Sequence, residues 1–265
     1  MDNYKGAVFF DFDGTLVDER IQMFYPSDKT IEASKLLKQN GYVVILATGR
    51  AKCYIPECGI DFSGYVASNG AYAELGGEVV HNNTIAPEKI TDMLNYCKEN
   101  GLGFLTENQE RCYCFGENMD SFVKMIETFN LDSSCFMEMS DSAAAKDINK
   151  IMVTYNEPEQ YDIFKKRFEN DFLITRHRNT YSADVGKRGI NKAEGVKAII
   201  DRFGIPIENA YAFGDGENDV EMLGAVGTGI AMEIHSPALD GVAKYVTDSV
   251  KNEGIYNALK KFKLI

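Results

Sequence analysis

The stretch Ala7-Val8-Phe9-Phe10-Asp11-Phe12-Asp13-Gly14-Thr15-Leu16 joins four apolar residues to two carboxylates, a glycine and a threonine. A short apolar run bounded by turn signals predicts a buried β-strand. Open α/β folds bind their ligands at the carboxyl edge of a parallel sheet, where Asp11 and Asp13 would then lie. Two such carboxylates repel each other unless a proton or a cation, such as the oxygen-seeking Mg²⁺, lies between them. Taken alone, the Asp-x-Asp-Gly fragment is more typical of an ordinary turn, so its interpretation depends on the rest of the chain.

The composition predicts a globular, acidic protein. Its 265 residues are enough for one large domain or two modest ones, and its hydrophobic content of 45% argues against disorder. The net charge of −12 argues against nucleic acid or an anionic membrane as a partner. An anionic substrate would therefore need a local cation, either a metal ion or a suitably positioned lysine.

No targeting signal and no metal-binding spacing are evident. The N-terminus has no charged-then-apolar leader, and no apolar run approaches the ~20 residues of a membrane-spanning helix. We therefore expect a cytoplasmic protein without a membrane partner, as a monomer or weak homo-oligomer. The cysteines form no Cys-x-x-Cys pair and the three histidines are scattered, which disfavours a structural zinc site and indicates reduced, mostly buried thiols.

Further apolar segments extend the opening strand into a sheet. Ser27 predicts the start of an amphipathic helix, and residues 43–47 predict a second strand, which ends at Thr48-Gly49-Arg50. Because both strands are continuously apolar, they are expected in a parallel βαβ unit that is covered on both faces. Residues 72–80 predict a hairpin about Gly76-Gly77.

The pattern changes between residues 83 and 186. Strands and helices do not alternate regularly there, as is typical of an α+β domain. After this segment the α/β pattern returns, with an amphipathic helix over 191–203 and a buried strand over 210–213. We therefore predict a core domain formed by residues 1–82 and 187–265, with an α+β domain inserted at 83–186.

Four polar clusters follow the predicted core strands or begin a core helix. In a parallel sheet the strand ends share one edge, so distant residues can converge there. The set offers carboxylates, a lysine, a hydroxyl and glycine amides, an inventory that suits phosphoryl transfer. The four clusters are Asp11/Asp13, Thr48-Gly49, Lys192 and Asp215/Asn218/Asp219.

Each cluster alone has a simpler interpretation. Thr48-Gly49-Arg50 is more often a plain turn, and Lys192 a solvated helix residue. The segment Gly-Asp-Gly-Glu-Asn-Asp at 214–219 is similar to a calcium loop, but Val226 stands where such a loop has its twelfth-position glutamate. The occurrence of all four clusters, in order and at strand ends, favours a common site.

These motifs together resemble those of the haloacid dehalogenase superfamily. The resemblance rests on Asp-Phe-Asp-Gly-Thr-Leu (11–16), Ala-Thr-Gly-Arg (47–50), Lys192 and the 214–219 segment. Ser68-Asn69-Gly70-Ala71 and the length of the insert are similar to the Cof-type sugar phosphatases, whose cap is of class IIB. The resemblance implies an α/β fold, with a Rossmann-like doubly wound parallel sheet core and an inserted α+β cap domain.

The same resemblance implies roles for the carboxylates. Asp11 would be the nucleophile that becomes a phosphoaspartate. Asp13 would protonate the leaving oxygen and later deprotonate water. Mg²⁺ would be held by the Asp11 carboxylate, the Asp13 main-chain carbonyl and Asp215, with Asp219 close by through water or Lys192.

The phosphate-binding residues follow from the other motifs of the family. Thr48 and Lys192 would hold the phosphoryl oxygens, with Gly49 and Asn218 beside them. One departure is evident, because Glu233-Ile234 follows Ala231-Met232 where the family usually has Gly-Asn. This change adds a negative charge near the expected site.

The expected function is Mg²⁺-dependent hydrolysis of small phosphorylated metabolites, in particular sugar phosphates. A phosphomutase of the same fold and a non-catalytic sensor of phosphorylated ligands are the alternatives; Asp13, as acid and base, argues against the sensor. Because the core motifs bind only phosphate and metal, the cap must select the leaving group. Arg176, His177 and Arg178 at a cap strand-to-turn junction are candidates, unless they form a solvated hairpin tip.

Overall fold

The computed structural model describes residues 4–139, 146–177 and 180–265. Within these ranges the strands, numbered along the chain, are β1 (Gly6–Phe10), β2 (Tyr42–Ala47), β3 (Gly64–Ala67), β4 (Tyr72–Leu75), β5 (Glu78–Asn82), β6 (Gly103–Glu107), β7 (Cys112–Phe115), β8 (Phe136–Glu138), β9 (Lys150–Thr154), β10 (Phe172–Arg176), β11 (Ser182–Lys187), β12 (Ala210–Gly214), β13 (Thr228–Ala231) and β14 (Tyr245–Val246).

The helices of the same ranges are shorter than a bilayer-spanning segment. They are α1 (Asp28–Gln39), α2 (Pro87–Glu99), α3 (Asp120–Thr128), α4 (Pro158–Phe168), α5 (Lys192–Phe203), α6 (Val220–Gly224) and α7 (Gly254–Lys261). Among the described residues, no helix combines the length and the apolar character needed to cross a membrane.

The chain divides into two compact units by its internal contacts. The first unit consists of Met1–Gly49, Glu57–Asn82 and Asn191–Ile265, and the second of Arg50–Pro56 and Asn83–Ile190. Arg50–Pro56, which directly follows β2 and its Thr48-Gly49 end, groups with the second unit. The segment bonds to the loop after β6, since Lys52 N donates to Gln109 Oε1 at 3.1 Å and the Cys53 thiol donates to the Asn108 carbonyl at 3.5 Å.

The first unit is built on a mainly parallel sheet. Its described strands follow the order β14-β13-β12-β1-β2-β3-β4-β5, in which every pair from β14 to β3 is parallel and the last two pairs are antiparallel. The chain leaves β1 for β2 on one side and later returns to β12 on the other. This reversal places a topological switch point beside β1, where open α/β sheets bind ligands. The predicted α/β core is confirmed.

Both faces of this sheet are covered. On β1, Ala7 and Phe9 belong to an apolar cluster with Val196 and Ile199 of α5. Successive strand residues point to opposite faces, and Val8 is as fully buried as its neighbours. Helices α5 and α6 pack together, as do α1 and α7. The continuous apolar character of β1 and β2 therefore reflects burial on two sides, as the sequence predicts.

The second unit contains a mostly antiparallel sheet of order β10-β11-β9-β6-β7-β8 in its described residues. Only β7 and β8 pair in parallel among these strands. One apolar cluster joins α2 and α4 to the sheet, and a second cluster joins α3 to it. This is the α+β character that residues 83–186 predict, although the short strand β8 is not evident from the sequence.

Helix α5 approaches the sheet unusually closely at Gly195. A methyl group added there would lie 2.6 Å from Val66 Cγ1 and 3.3 Å from Ala73 Cβ. In an open helix, replacing glycine by alanine stabilises by about 1 kcal/mol. At this position we expect Gly195→Ala to lower the free energy of unfolding by about 1–3 kcal/mol, because the added methyl overpacks the interface. Urea denaturation measures the change.

Gly224→Ala in α6 is the matched control, since its added methyl would meet only Val242 Cγ1, at 3.5 Å. We expect no loss of stability there. Val66→Ala should restore part of the loss when it is combined with Gly195→Ala. If both glycine variants proved equally stable, the close approach of α5 would not be real.

Candidate active site

Two carboxylates follow adjacent parallel strands at the switch point. Asp11 comes directly after β1, and Asp215 comes directly after β12. The main-chain N–H of Asp11 donates to the carbonyl of Phe213 at 3.0 Å, which extends the ladder between the two strands. The sheet therefore fixes both residues at the same carboxyl edge, as the apolar pattern of each strand predicts.

Lys192 brings a positive charge to these carboxylates. It is the first residue of α5, whose preceding residue Asn191 caps the helix by accepting from Ala193 N at 3.0 Å. The side chain of Lys192 is fully buried. Its Nζ lies 2.5 Å from Oδ1 of Asp11 and 2.7 Å from Oδ1 of Asp219. The predicted cluster of Asp11, Lys192 and Asp219 is thus a hydrogen-bonded group.

Asp219 uses its second carboxylate oxygen to shape the loop after β12. Its Oδ2 accepts from the main-chain N–H groups of Asp215 and Gly216, both at 2.9 Å. With Lys192 on the other oxygen, the Asp219 carboxylate is committed to three donors. Asp219 therefore orients the loop and the lysine, while Asp11 and Asp215 keep oxygen atoms for a further ligand.

The charges of the site are not balanced within the chain. Burial and the nearby Asp219 raise the pKa of Asp11 well above its ordinary value, although Lys192 opposes the shift. Burial and Asp219 also raise the pKa of Asp215 to about 7, against the opposing effect of Arg20. Burial lowers the pKa of Lys192, but the attraction of Asp11 and Asp219 outweighs it and the net pKa is raised. Additional positive charge would stabilise the ionised carboxylates.

These residues fit a hard divalent cation. Oxygen atoms of Asp11, Asp215 and Asp219 lie within 4.8 Å of one another. The turn after Asp11 approaches Asp215 so closely that any Cβ at Gly14, which has a φ of +88°, would collide with that carboxylate. An all-oxygen donor set with excess negative charge is what Mg²⁺ requires.

Asp13 lies in the turn that follows Asp11 and β1. It is half-buried, and its main chain pairs with Val17 in an isolated β-bridge. The same turn directs the Thr15 hydroxyl to Oδ1 of Asp215, at 3.3 Å. Thr15 was not singled out from the sequence, although it is the threonine of the opening motif.

A second group of polar residues follows β2 and β3. Thr48 is fully buried at the end of β2, and its carbonyl accepts from Asn69 N at 3.1 Å. The Asn69 side chain then accepts from Asn218 Nδ2 at 3.0 Å. A Cβ at Gly49 would lie only 3.0 Å from Asn69 Oδ1. The structure therefore joins Thr48, Gly49 and Asn218 through Asn69.

The role of Asn69 is not evident from the sequence. The signal that could have revealed it is the Ser68-Asn69-Gly70 turn after an apolar strand. All three residues have a positive φ, between 51° and 90°, which is uncommon for non-glycine residues. This backbone turns Asn69 back towards Thr48, a geometry that spacing alone does not indicate.

Arg176 and His177, two of the three predicted specificity residues, have partners within the second unit. The Arg176 guanidinium lies over the rings of Tyr155 and Tyr161, 5.8 and 5.2 Å from their centroids. His177 Nδ1 lies 2.7 Å from Ser182 Oγ, and its Nε2 lies 3.5 Å from Asp184 Oδ1. Arg178 lies outside the described residues.

Glu233, which departs from the family pattern, closes a loop of the first unit. Its side chain is exposed and its Oε2 accepts from Ser249 N at 3.0 Å. The neighbouring chain is tied to the site by its backbone, since Ser236 N donates to the Asp215 carbonyl at 2.7 Å. The carboxylate that Glu233 adds therefore accepts a hydrogen bond from a main-chain N–H group.

Comparison with known proteins agrees with this geometry. The family model described as haloacid dehalogenase-like hydrolase matches residues 8–259. This range contains every motif of the site, and the chain belongs to this family. The predicted membership of the superfamily is confirmed.

Several relatives match along nearly their whole length. The Bacillus subtilis protein named "Putative phosphatase YkrA" is 28% identical, over 97% of this chain and 98% of its own. The structure of the subclass IIB sugar phosphatase BT4131 is 28% identical and has a TM-score of 0.81, covering 98% of this chain and 100% of its own. A structure from Geobacillus kaustophilus is 30% identical with a TM-score of 0.85, over 98% and 100% of the two chains. These matches confirm the predicted enzyme class, a phosphoric monoester hydrolase.

The buried lysine generates a prediction about stability. Lys192→Met would leave Asp11 and Asp219 facing each other without a cation, which typically costs about 3–5 kcal/mol. The pKa of Asp11, already raised in the folded protein, would rise further, so the folded variant would bind more protons than its unfolded chain. Its free energy of unfolding should therefore fall as pH rises. Urea denaturation from pH 5 to pH 8 should show the deficit relative to wild type growing with pH.

Lys197→Met is the matched control, because Lys197 is an exposed lysine of the same helix with Glu194 3.5 Å away. A surface pair of this kind contributes about 0–1 kcal/mol. The control should thus stay near wild type at every pH. A deficit of Lys192→Met that did not change between pH 5 and pH 8 would contradict the assignment of a charge role to Lys192.

Proposed function

We propose that this hydrolase is a Mg²⁺-dependent phosphatase of small phosphorylated metabolites, in particular sugar phosphates. The observation that carries the proposal is the contact of Lys192 Nζ with Asp11, beside the Asp215 carboxylate on the neighbouring strand end. A lysine and a metal site around one carboxylate can neutralise a phosphoryl group that would otherwise face only negative charge. The sugar phosphatase among the matched structures supports the substrate class.

The metal is proposed to bind the Asp11 carboxylate, the Asp215 carboxylate and the main-chain carbonyl of Asp13. When bound, it supplies charge neutralisation for the phosphoryl oxygens. Asp219 is proposed to act from behind, because its oxygens accept from Lys192 and from the loop amides. Asp219 thereby holds Lys192 and the loop that carries Asp215 in position.

In the first step Asp11 acts as the nucleophile. Its carboxylate oxygen forms a bond to phosphorus while the bond from phosphorus to the leaving oxygen breaks. Asp13 donates its proton to that oxygen, so the product leaves as a neutral alcohol. Lys192 and the Thr48 hydroxyl hold the phosphoryl oxygens, with Gly49 and Asn218 completing the phosphate site.

In the second step water replaces the alcohol. Asp13, now ionised, accepts a proton from the water as its oxygen bonds to phosphorus. The bond between phosphorus and Asp11 breaks, which releases inorganic phosphate and restores the enzyme. A covalent intermediate divides one slow hydrolysis into two faster displacements.

Selection of the leaving group is proposed to come from the second unit. Arg176 is a cation on an aromatic surface, and His177 belongs to a polar chain with Ser182 and Asp184. Such groups bind hydroxyls and anions of a metabolite. Arg178 is retained in the proposal as their sequence neighbour.

The proposal is tested by phosphate release from a panel of phosphorylated sugars and other metabolites. We expect turnover of sugar phosphates with Mg²⁺ and its loss when EDTA is added, because the carboxylates would then lack their counterion. Arg176→Ala combined with His177→Ala should change the ranking of substrates. Free phosphate, measured by a colorimetric assay, also separates hydrolysis from a mutase reaction or from binding alone.

Arg167→Ala is the matched control, since Arg167 also lies over two rings, those of Tyr96 and Phe168, each at 5.2 Å. It should leave the ranking unchanged. Turnover that persists in EDTA would refute the metal requirement. An unchanged ranking in the Arg176/His177 variant would refute their role in specificity without affecting the phosphatase assignment.

Asp13→Asn tests the two proton transfers. The substitution keeps the size of the side chain but removes the acid and the base, which typically contribute about 10²–10⁴-fold each. We expect a large loss of turnover with ordinary substrates. With a substrate whose leaving group needs little protonation, the first step should proceed, and phosphorylated Asp11 should accumulate for lack of a base. Mass spectrometry of rapidly quenched protein measures it.

Asp11→Asn combined with Asp13→Asn serves as the control and should carry no phosphoryl group. Unimpaired turnover of Asp13→Asn, or phosphorylation of any residue other than Asp11, would overturn the proposed mechanism.

A further inference from the structure

Three cysteines from separate segments meet in the second unit. Cys53 lies in the short 3₁₀ turn Lys52–Tyr54, Cys112 is the first residue of β7, and Cys135 ends the short turn Ser133–Cys135 before β8. Their sulfur atoms all lie within 4.8 Å of one another, and the sulfurs of Cys53 and Cys112 are 3.4 Å apart. Sequence spacing gave no indication of this cluster, because 59 residues separate Cys53 from Cys112.

The backbone holds each of the three thiols in place. The Cys53 turn is bound to the loop after β6, as the Cys53 thiol donates to the Asn108 carbonyl at 3.5 Å. Cys112 is paired with Phe136 in the parallel ladder of β7 and β8, so the residue before Phe136, Cys135, is brought beside it. The positions of the sulfurs therefore follow from the sheet and two turns, and binding would require little reorganisation.

The cluster is shielded on one side and reachable on the other. Cys112 is fully buried, whereas Cys53 and Cys135 are partly exposed. Tyr54 and Phe136 pack edge to face beside the cluster, with ring centroids 6.2 Å apart. Partly dry surroundings strengthen metal–thiolate bonds, and the two exposed thiols give an ion a path of entry.

We propose that Cys53, Cys112 and Cys135 form a binding site for a thiophilic metal ion of the Zn²⁺ class. Zinc–sulfur bonds of about 2.3 Å in a tetrahedral site place the sulfurs about 3.8 Å apart, so these atoms would move by no more than about 1 Å. The three thiols lose their protons as the ion binds. The fourth position is open to water or another ligand.

A thiol pair that merely forms a disulfide is the main alternative. Cys53 and Cys112 are close enough to suggest it, but a disulfide uses only two sulfurs and gives no role to Cys135. A metal ion uses all three. Bound there, it would fasten the Arg50–Pro56 segment to β7 and to the turn before β8, since each supplies one ligand. The proposal does not depend on the proposed function.

The test uses the full chain, reduced and free of metal, with excess Mg²⁺ to occupy carboxylate sites. Added Co²⁺ should produce a thiolate-to-cobalt charge-transfer band at one equivalent, and Zn²⁺ should abolish it. We expect Zn²⁺ to raise the melting temperature as well, because binding to the folded state alone is stabilising. Cys53→Ser and Cys135→Ser should lose both effects, whereas Cys135→His, which keeps a ligand, should retain the rise in melting temperature.

Cys97→Ser is the matched control, since Cys97 is a buried cysteine of the same unit that packs in the other apolar cluster. It should behave as wild type with both ions. Absence of the cobalt band in the reduced wild-type protein would overturn the proposal, as would an undiminished band in Cys53→Ser and Cys135→Ser. A protein that binds neither ion but links Cys53 to Cys112 on mild oxidation would be a redox pair instead.

Discussion

The buried ammonium group of Lys192 constrains the first unit of this protein. Lys192 Nζ bonds to Asp11 after the central strand and to Asp219 in the loop after its neighbour. Transfer of charged groups from water to the interior costs several kcal/mol for each ion, and only close pairing offsets it. Strand β1, helix α5 and the loop after β12 must therefore occupy their positions together. The close approach of α5 at Gly195 serves the same requirement, because it brings the lysine within reach.

Burial and hydrogen bonding give different roles to carboxylates that the sequence alone does not distinguish. Asp215 and Asp219 belong to one motif, yet Asp219 accepts from three donors while the pKa of Asp215 is raised by burial and by Asp219 itself. A carboxylate with all of its donors inside the chain has no need of a metal. A carboxylate whose pKa is raised is stabilised most by a metal ion, since a cation favours its ionised form. The proposed metal ligands, Asp11 and Asp215, are those whose pKa values stay raised by burial and by Asp219 despite the nearby cations.

The sequence predicted those parts of the structure that are encoded locally. The apolar run before Asp11 and the Ser27 cap each determine a neighbouring element, and the parallel sheet follows from strands that are apolar throughout. Joint occurrence of the motifs then predicted which strand ends meet. Contacts between distant segments were not predictable in this way. The link from Thr48 to Asn218 passes through Asn69, whose left-handed backbone has no signature in spacing. The three cysteines come together through the pairing of β7 with the unpredicted strand β8 and through the separate turn that holds Cys53.

The two candidate cation sites differ in ligand chemistry in a way that keeps their ions apart. The proposed site of the first unit offers carboxylate oxygens, which suit a hard ion that retains part of its water shell. The cysteine cluster of the second unit offers only sulfur, which Mg²⁺ binds poorly and Zn²⁺ binds well. Zinc ions bind carboxylates too, but they bind thiolate sulfur more tightly. Zinc would therefore fill the cysteine cluster at a lower concentration than it fills the carboxylates, and the two sites would select different ions.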